Sequence, residues 1–402
     1  GDVQRMMDEL AALRSAAGYT GPCIVKLGAG TYLPEYEPMV PAAAGDSFDR
    51  NPPVDSRDAA FILRPGVQVW GGHNASPTDG DTSRNPAANI TTLSGDLDSD
   101  DAGSIFIDNA YHVVLAVNIP ANDGTVLDGL TISGGCADDG GSSFITVDSA
   151  SIYRSIGGGM FNWNSSLTLV NVNISGNTAS GNGGGIYNNS SPLVLVNAVI
   201  SGNTTDTGGG GMYNINSSPT IVNVNISGNS AGNGGGGMYN GGSSLVLINA
   251  VISGNSTGGF GGGMWNSGSS PEVRNSIIWG NTAPTGPGIY NGGSTPLISY
   301  SIVQGSGGSL SWVPATGTDG GNNKDTDPLF VGGGDYHLQS TSLEAIDAGN
   351  DALYPLDADA VEALLGQTLS PEAKTAINAA LSTDLDGSPR KQGTIDMGPY
   401  ER

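Results

Sequence analysis

The chain has 402 residues, of which 65 are glycine and only 13% are charged. Its 38 acidic residues outweigh 14 basic ones, and the formal net charge of −24 opposes contact with phosphate backbones, so we expect no nucleic-acid partner. No run of about 18 apolar residues is present, so we expect no membrane insertion of this segment.

The N-terminal sequence GDVQRMMDELAALRS is typical of an amphipathic helix and not of a signal peptide. We expect residues 1–21 to form a helical cap, because an uncovered sheet edge would pair with other molecules. Residues 22–155 are predicted to form irregular first coils. Two buried free thiols are favoured for Cys23 and Cys136, which lie far apart in sequence, and one disulfide is the alternative.

The densest group of acidic residues is the sequence GDLDSDD, which contains Asp96, Asp98, Asp100 and Asp101. Alternating aspartates supply the hard oxygen ligands that Ca²⁺ prefers, so these residues are candidate Ca²⁺ ligands. The loop lacks the glycine and the distal glutamate of an EF-hand, and a solvated acidic turn is the alternative. The sequence calls for no other metal or cofactor.

A strict repeat of about 26 residues runs through residues 156–305. Asparagines of successive copies lie at 162, 188, 214, 240, 266 and 291, with spacings of 26, 26, 26, 26 and 25. Each copy contains strand-like segments such as LTLVNVNIS, separated by glycine and asparagine clusters that suit sharp corners. Short strands at a fixed spacing predict an all-β fold of stacked coils, a right-handed parallel β-helix or β-solenoid.

Stacking the copies about 4.8 Å apart would align equivalent side chains in rows. One row is a predicted structural asparagine ladder at a corner, formed by Asn171, Asn197, Asn223, Asn249 and Asn275. A second row is aromatic and consists of Phe161, Tyr187, Tyr213, Tyr239, Trp265 and Tyr290. Since the Met or Ile before each ring suits the core better, the rings are expected outside, facing glycans or a partner. An inward aromatic stack is the alternative.

Residues 306–402 are predicted to form a closing segment that caps the C-terminal end of the coils. Two short helices are expected in the insertion 357–382, because Ser370 suits the N-cap and Pro371 suits the first helical position. The helices are interpreted either as part of the cap or as a docking element for a partner or a neighbouring subunit.

The GG[MI]YN and ISGN phrases resemble the repeats of polymorphic outer-membrane-protein-type β-helices. The sequence TVLDGLTISGG at 125–135 resembles their opening coils, and 327–350 and 384–401 resemble the closing segment of surface proteins with a choice-of-anchor Q domain. The resemblance covers nearly the whole chain and implies a bacterial protein that is extracellular or displayed on the cell surface. It implies no activity.

The regular repeats are nearly free of charge, because residues 155–300 contain only Asp206, Glu272 and Arg274 as charged residues. These residues cannot supply the facing carboxylates of a glycosidase or the base and cation of a lyase, so we assign no catalytic residue. We therefore expect a non-catalytic secreted or cell-surface solenoid with a structural, adhesive or self-assembling role, such as a filament or sheath. The alternatives are a polysaccharide lyase or glycosidase with its site on the irregular first coils, and a glycan-binding module that uses the aromatic row.

Overall fold

A computed structural model describes residues 3–18, 23–34, 55–74, 84–100, 108–141, 143–355, 357–386 and 394–400. Strands in parallel sheets predominate in these ranges, and helices are few. This is an all-β parallel arrangement, consistent with the solenoid that the repeats predict. We call one repeat a coil; it contributes in chain order to sheets B, A and C, which are defined below.

Sheet A is the largest sheet and extends through nearly all coils. Its strands are Cys23–Gly28, Gly30–Tyr32, Val67–His73, Thr91–Ser94, Val126–Asp128, Thr131–Ser133, Leu167–Val170, Asn173–Ser175, Leu193–Ser201, Thr220–Ser227, Val246–Ser253, Glu272–Arg274, Ile277–Trp279, Leu297–Ser299, Ile302–Val303 and Thr318–Asp319. The regular strands pair in parallel with a 26-residue offset, as in the pairs Leu169 with Leu195 and Leu195 with Ile221.

Sheets B and C are also parallel stacks. Sheet B contains Phe61–Ile62, Val114–Val117, Met160–Trp163, Ile186–Asn189, Met212–Ile215, Met238–Gly241, Met264–Ser267 and Ile289–Gly292. Sheet C contains Cys136–Ala137, Thr178–Ala179, Thr204–Thr205, Ser230–Ala231 and Ser256–Thr257. Two antiparallel hairpins stand apart, Phe144–Val147 with Ala150–Tyr153 and Phe330–Gly332 with Asp335–Leu338.

The main core consists of inward side chains that repeat from coil to coil. Leu195 and Ile221 of sheet A and Met212 and Met238 of sheet B belong to one buried cluster, and each is 0% exposed. Burying such a side chain contributes about 1.5–3 kcal/mol. Because each inward position meets the same residue type in the next coil, the repeat period itself builds the core.

The N-terminal helix, Val3–Ala17, packs against the first strands of sheets A and B. Val3 and Met7 insert into the main core. The Gln4 side chain accepts a hydrogen bond from Ile62 N at 2.7 Å and donates one to Ile62 O at 3.1 Å. It thereby satisfies backbone groups of the first strand of sheet B, where an open edge would otherwise invite pairing.

At the opposite end of the strand stack, residues 312–317 lie against the last strand of sheet B. Trp312 packs against the main core and donates a hydrogen bond from Nε1 to Gly317 O at 2.8 Å. Asn291, in the last strand of sheet B, donates to Ala315 O at 2.9 Å and to Thr316 O at 3.0 Å. These contacts involve the short 3₁₀ helix Pro314–Thr316; among the described residues, Ser56–Asp58 and Asp351–Leu353 are also short 3₁₀ helices.

Two α-helices, Ala358–Leu365 and Pro371–Leu381, occupy the insertion where the sequence predicts them. Ser370 is the N-cap of the second helix, and its Oγ accepts from Ala373 N at 3.1 Å. Both helices pack on an outward apolar row of sheet A, which consists of Val170, Val196, Val222 and Ile248. They therefore lie on the side of the stack and not at its C-terminal end, where the sequence prediction placed them. The physical reason is that this outward row is apolar, and burying it under the helices stabilises the folded state.

Candidate functional site

The aromatic row lies on the outer face of sheet B. In each of its strands the Met or Ile joins the main core, and the following ring points the opposite way, as alternation along a strand requires. Phe161 is 0% exposed and Tyr187 is 9% exposed, whereas Tyr213, Tyr239, Trp265 and Tyr290 are half-buried. The rings thus lie outside the main core, but the expectation that the whole row is exposed is wrong for Phe161 and Tyr187, which are buried.

The hairpin formed by residues 144–153 accounts for this variation. Its Val147 and Ile152 pack with Phe161 and Tyr187 in a second apolar cluster outside the main core. The hairpin thus covers the N-terminal end of the row. The repeat does not predict this hairpin, because its residues lie before the first regular copy and share no period with it.

The covered end and the middle of the row form a parallel ring stack. The centroids of Tyr187 and Tyr213 lie 5.5 Å apart with an interplanar angle of 7°, and those of Tyr213 and Tyr239 lie 4.6 Å apart at 6°. Each ring face of Tyr213 therefore meets a neighbouring ring. Burial and the adjacent Tyr239 and Tyr187 raise the pKa of Tyr213 above its ordinary value, so its phenol stays neutral.

The parallel stack ends at Trp265. Its indole stands at 82° to the Tyr239 ring, with centroids 5.0 Å apart, and at 75° to the Tyr290 ring, with centroids 6.0 Å apart. Phe260 joins the group, with its ring centroid 5.5 Å from that of Trp265 and 4.7 Å from that of Tyr290. We call Phe260, Trp265 and Tyr290 the aromatic cluster. Phe260 is 40% exposed.

Phe260 is not among the predicted site residues, although the repeat shows that a phenylalanine replaces glycine at this position. The equivalent positions in the two preceding coils are Gly208 and Gly234. Gly208 forms a parallel β-bridge with Gly234, and Gly234 forms one with Phe260. A side chain at Gly234 would collide with the Trp265 indole, whose Cε3 lies 2.1 Å from the ideal Cβ position. The glycine-rich corner therefore provides the space that the indole occupies.

The predicted asparagine ladder has a more specific role than the prediction gave it. All five of its residues have φ between 48° and 56°, the left-handed conformation that asparagine tolerates at a corner. Asn223 donates to Asn197 Oδ1 at 3.0 Å, but Asn249 donates to Gly398 O at 2.8 Å and Asn275 to Asn350 O at 3.1 Å. Side-chain bonds between neighbouring asparagines therefore join only part of the row, and its other members bind the C-terminal segment. Asn171 and Asn197 complete the five residues of the row.

Two other asparagine series form the continuous buried ladders. In one, Asn203 N and Nδ2 both donate to Asn229 Oδ1 at 3.0 Å, and Asn229 repeats this pattern toward Asn255. In the other, Asn214 donates to Asn240 Oδ1 at 3.0 Å. The series of Asn214 marks the repeat period in the sequence, but no ladder is predicted for it or for the series of Asn229. Their absolute regularity was the available signal.

The acidic turn follows the strand Thr91–Ser94. Asp98 is exposed, Asp96 and Asp100 are half-buried, and Asp100 N donates to Asp96 Oδ1 at 3.1 Å. Burial, together with the negative charges of Asp108, Asp96 and Asp98, raises the pKa of Asp100. Within the described ranges, no group of three or more His, Cys, Asp or Glu side chains is placed to hold a metal. Asp101 lies outside the described residues, so Ca²⁺ binding stays a prediction.

Charged groups of the irregular first coils form internal pairs. Arg154 binds Asp58 through two hydrogen bonds of 2.7 and 2.6 Å, and both side chains are largely buried. Arg57 binds Asp138 at 2.6 Å, and its guanidinium carbon lies 4.2 Å from the centroid of the Tyr111 ring. These contacts tie together segments that are distant in sequence and use the charges for packing.

The titratable rings in the same region are likewise engaged. The Tyr111 hydroxyl donates to Asp55 at 2.7 Å, and burial, together with this bond, raises the pKa of Tyr111. His112 is buried with Nδ1 3.0 Å from Gly157 O, and burial lowers its pKa to about 4. Cys136 is a buried free thiol, as is Cys23.

No family model, curated protein or solved structure matches the chain. The resemblance of the repeats to surface-displayed β-helices therefore stays a prediction. Among the described residues, no helix is long and apolar enough to span a bilayer.

Proposed function

We propose that this chain is a right-handed parallel β-helix of the secreted or cell-surface bacterial kind, with a non-catalytic adhesive and structural role. Its resemblance to the polymorphic outer-membrane-protein-repeat and choice-of-anchor Q group supports this location. In this proposal the outer face of sheet B is the surface that meets a partner, and the remaining surfaces hold that face in place.

The observation that carries the proposal is the contrast between the faces of the molecule. The helix Val3–Ala17 packs against the first strands, residues 312–317 lie against the last strand of sheet B, and the helices of residues 358–381 cover the outward apolar row of sheet A. On sheet B, by contrast, the rings from Tyr213 to Tyr290 stay half-buried. An apolar surface that the chain leaves open is typical of an interaction site.

The covered ends also restrict how copies could associate. Growth of a filament by strand pairing along the stack axis requires open edges at both ends. Gln4 binds the backbone N–H and C=O of Ile62 in the first strand of sheet B, and the Asn291 side chain ties residue 315 to the last strand of that sheet. We therefore favour adhesion through the side of the molecule over end-to-end polymerisation.

The enzymatic alternative places a site on the irregular first coils. There Arg154 is paired with Asp58 and Arg57 with Asp138, which favours a structural role for these charges. A polysaccharide-cleaving site would need a carboxylate or base free to meet a sugar ring.

The test combines chemistry and imaging. The purified chain is incubated with neutral and acidic polysaccharides, and new reducing ends and unsaturated uronates are measured. In parallel, negative-stain images are recorded at rising protein concentration. We expect no turnover and discrete particles. Turnover by the wild-type chain would overturn the proposal in favour of an enzyme, and long axial filaments would overturn the adhesive form.

A further inference from the structure

We propose that the aromatic cluster of Phe260, Trp265 and Tyr290 is a binding site for a neutral glycan. This inference rests on the proposed adhesive role and names the class of ligand. Aromatic rings bind sugars when a ring face can meet the apolar face of a pyranose, so the orientation of each ring decides where such a site lies.

The ring geometry selects the cluster within the row. Tyr213 has both faces against neighbouring rings, at interplanar angles of 7° and 6°, and so presents only its edge to solvent. Trp265 meets Tyr239 and Tyr290 at 82° and 75°, so neither of these rings stacks on a face of the indole. Phe260 meets Trp265 at 56° and is 40% exposed. The parallel stack therefore ends at the cluster, where Phe260 is exposed and Trp265 and Tyr290 are half-buried.

The charge distribution favours an uncharged ligand. The chain carries a formal charge of −24, yet among residues 155–300 the charged ones are Asp206, Glu272 and Arg274. Glu272 and Arg274 pair with each other at 2.6 Å on sheet A, away from the row. A neutral sugar meets no charge that must lose its hydration at the cluster, whereas an acidic polysaccharide is repelled by the molecule as a whole.

The size of the open surface favours a small ligand over a second copy. From Tyr213 to Tyr290 the row spans four coils. At about 4.8 Å per coil and roughly 13 Å per four-residue strand, this face covers on the order of 250 Å². A stable protein interface buries about 800 Å² on each partner. An oligosaccharide of a few units matches the available area.

Two variants test the site while preserving the repeat. Phe260→Gly and Trp265→Tyr each install the residue that the preceding coil carries at that position, Gly234 and Tyr239 respectively, so the fold tolerates them. Tyr187→Phe alters a covered ring of the same row and is the matched control. Circular dichroism melting curves check that all three variants fold.

Binding is measured by calorimetry with cellohexaose, chitohexaose and mannohexaose, and with hexagalacturonate as the acidic probe. We expect a neutral hexaose to bind wild type, about tenfold weaker binding by Phe260→Gly and Trp265→Tyr, and unchanged binding by Tyr187→Phe. The inference is overturned if no neutral hexaose binds, if the two variants bind like wild type, if hexagalacturonate binds best, or if the variants instead abolish a dimer seen by sedimentation. Product analysis of the same mixtures separates the two proposals, because cleavage refutes the adhesive role and absent binding without cleavage refutes only the glycan site.

Discussion

The buried asparagine ladder that contains Asn229 offers a quantitative test of what holds the coils together. Asn229 is 0% exposed. Its Oδ1 accepts from Asn203 N and Asn203 Nδ2, both at 3.0 Å, and its Nδ2 donates to Ile200 O at 2.9 Å. Its Nδ2 also donates to Asn255 Oδ1 at 2.9 Å. Asn229→Ala removes all four bonds, so the buried Asn203 N–H and one N–H of Asn203 Nδ2 lose their acceptor and Ile200 O loses a donor. The other N–H of Asn203 Nδ2 keeps its bond to Ile174 O at 2.9 Å.

The cost follows from these unpaired groups. Each buried donor or acceptor without a partner costs about 1–3 kcal/mol, and the small cavity adds to this. Asn255 Oδ1 keeps the bond from Asn229 N at 3.0 Å and adds little to the cost. We expect Asn229→Ala to lower the free energy of unfolding by about 3–6 kcal/mol.

Urea unfolding followed by circular dichroism measures this loss. The matched control is Asn216→Gly, an exposed asparagine of the neighbouring turn with φ of 50°, which glycine adopts without strain. We expect the control to stay within about 0.5 kcal/mol of wild type. If Asn229→Ala unfolds at the same urea concentration as the control, the ladder does not stabilise the stack and the reasoning fails.

Three further predictions concern the segments packed against the coils. Ile377→Ala empties a fully buried site between helix and sheet A, so we expect a loss of about 2–5 kcal/mol and faster proteolysis within residues 358–381, with unchanged digestion patterns contradicting this. Burial acts to lower the pKa of His337, but its bonds with Asp386 and Asp335 raise it overall. Protonated His337 therefore stabilises the folded chain fully below about pH 6.5, and this contribution is lost as pH rises through the raised pKa. Proteolysis of the C-terminal segment should increase with pH in wild type but not in His337→Gln. Arg154→Ala leaves the Asp58 carboxylate buried without its partner, so thermal unfolding should show a loss of about 3–5 kcal/mol; adding Asp58→Ala should recover part of it, and no recovery would argue against the pair.

The period made the repeated part of the fold predictable. Each repeated strand pairs with its own copies in the neighbouring coils, so the spacing of Asn162, Asn188 and their equivalents specifies which strands pair and with what offset. Alternation within GMYN likewise specifies that Met212 points inward and Tyr213 outward. The same reasoning cannot give the tilt of the Trp265 ring, because that tilt depends on packing between unlike side chains at Phe260 and Tyr290.

The position of the non-repeating segments could not be read from the sequence. The helix signals at Ser370 and Pro371 are local and gave the helices correctly. Where the helices dock depends on the outward Val170 and Val196, and a strand that is apolar on both faces does not reveal which neighbour covers it. The docking of the hairpin on Phe161 could not be predicted either, because the repeat does not show which segment covers that ring.

The C-terminal segment changes how a stack of this kind comes apart. In a simple solenoid each coil contacts only its neighbours, and the array can fray from either end. Here the Asn197 side chain bonds to Ala380 O, Asn249 to Gly398 O and Asn275 to Asn350 O, so one stretch of chain clasps several coils at once. Fraying of the clasped coils must break that clasp, which favours a single cooperative transition. The C-terminal segment is synthesised after the coils that it binds. The outward valines of sheet A therefore stay uncovered until this long-range contact forms.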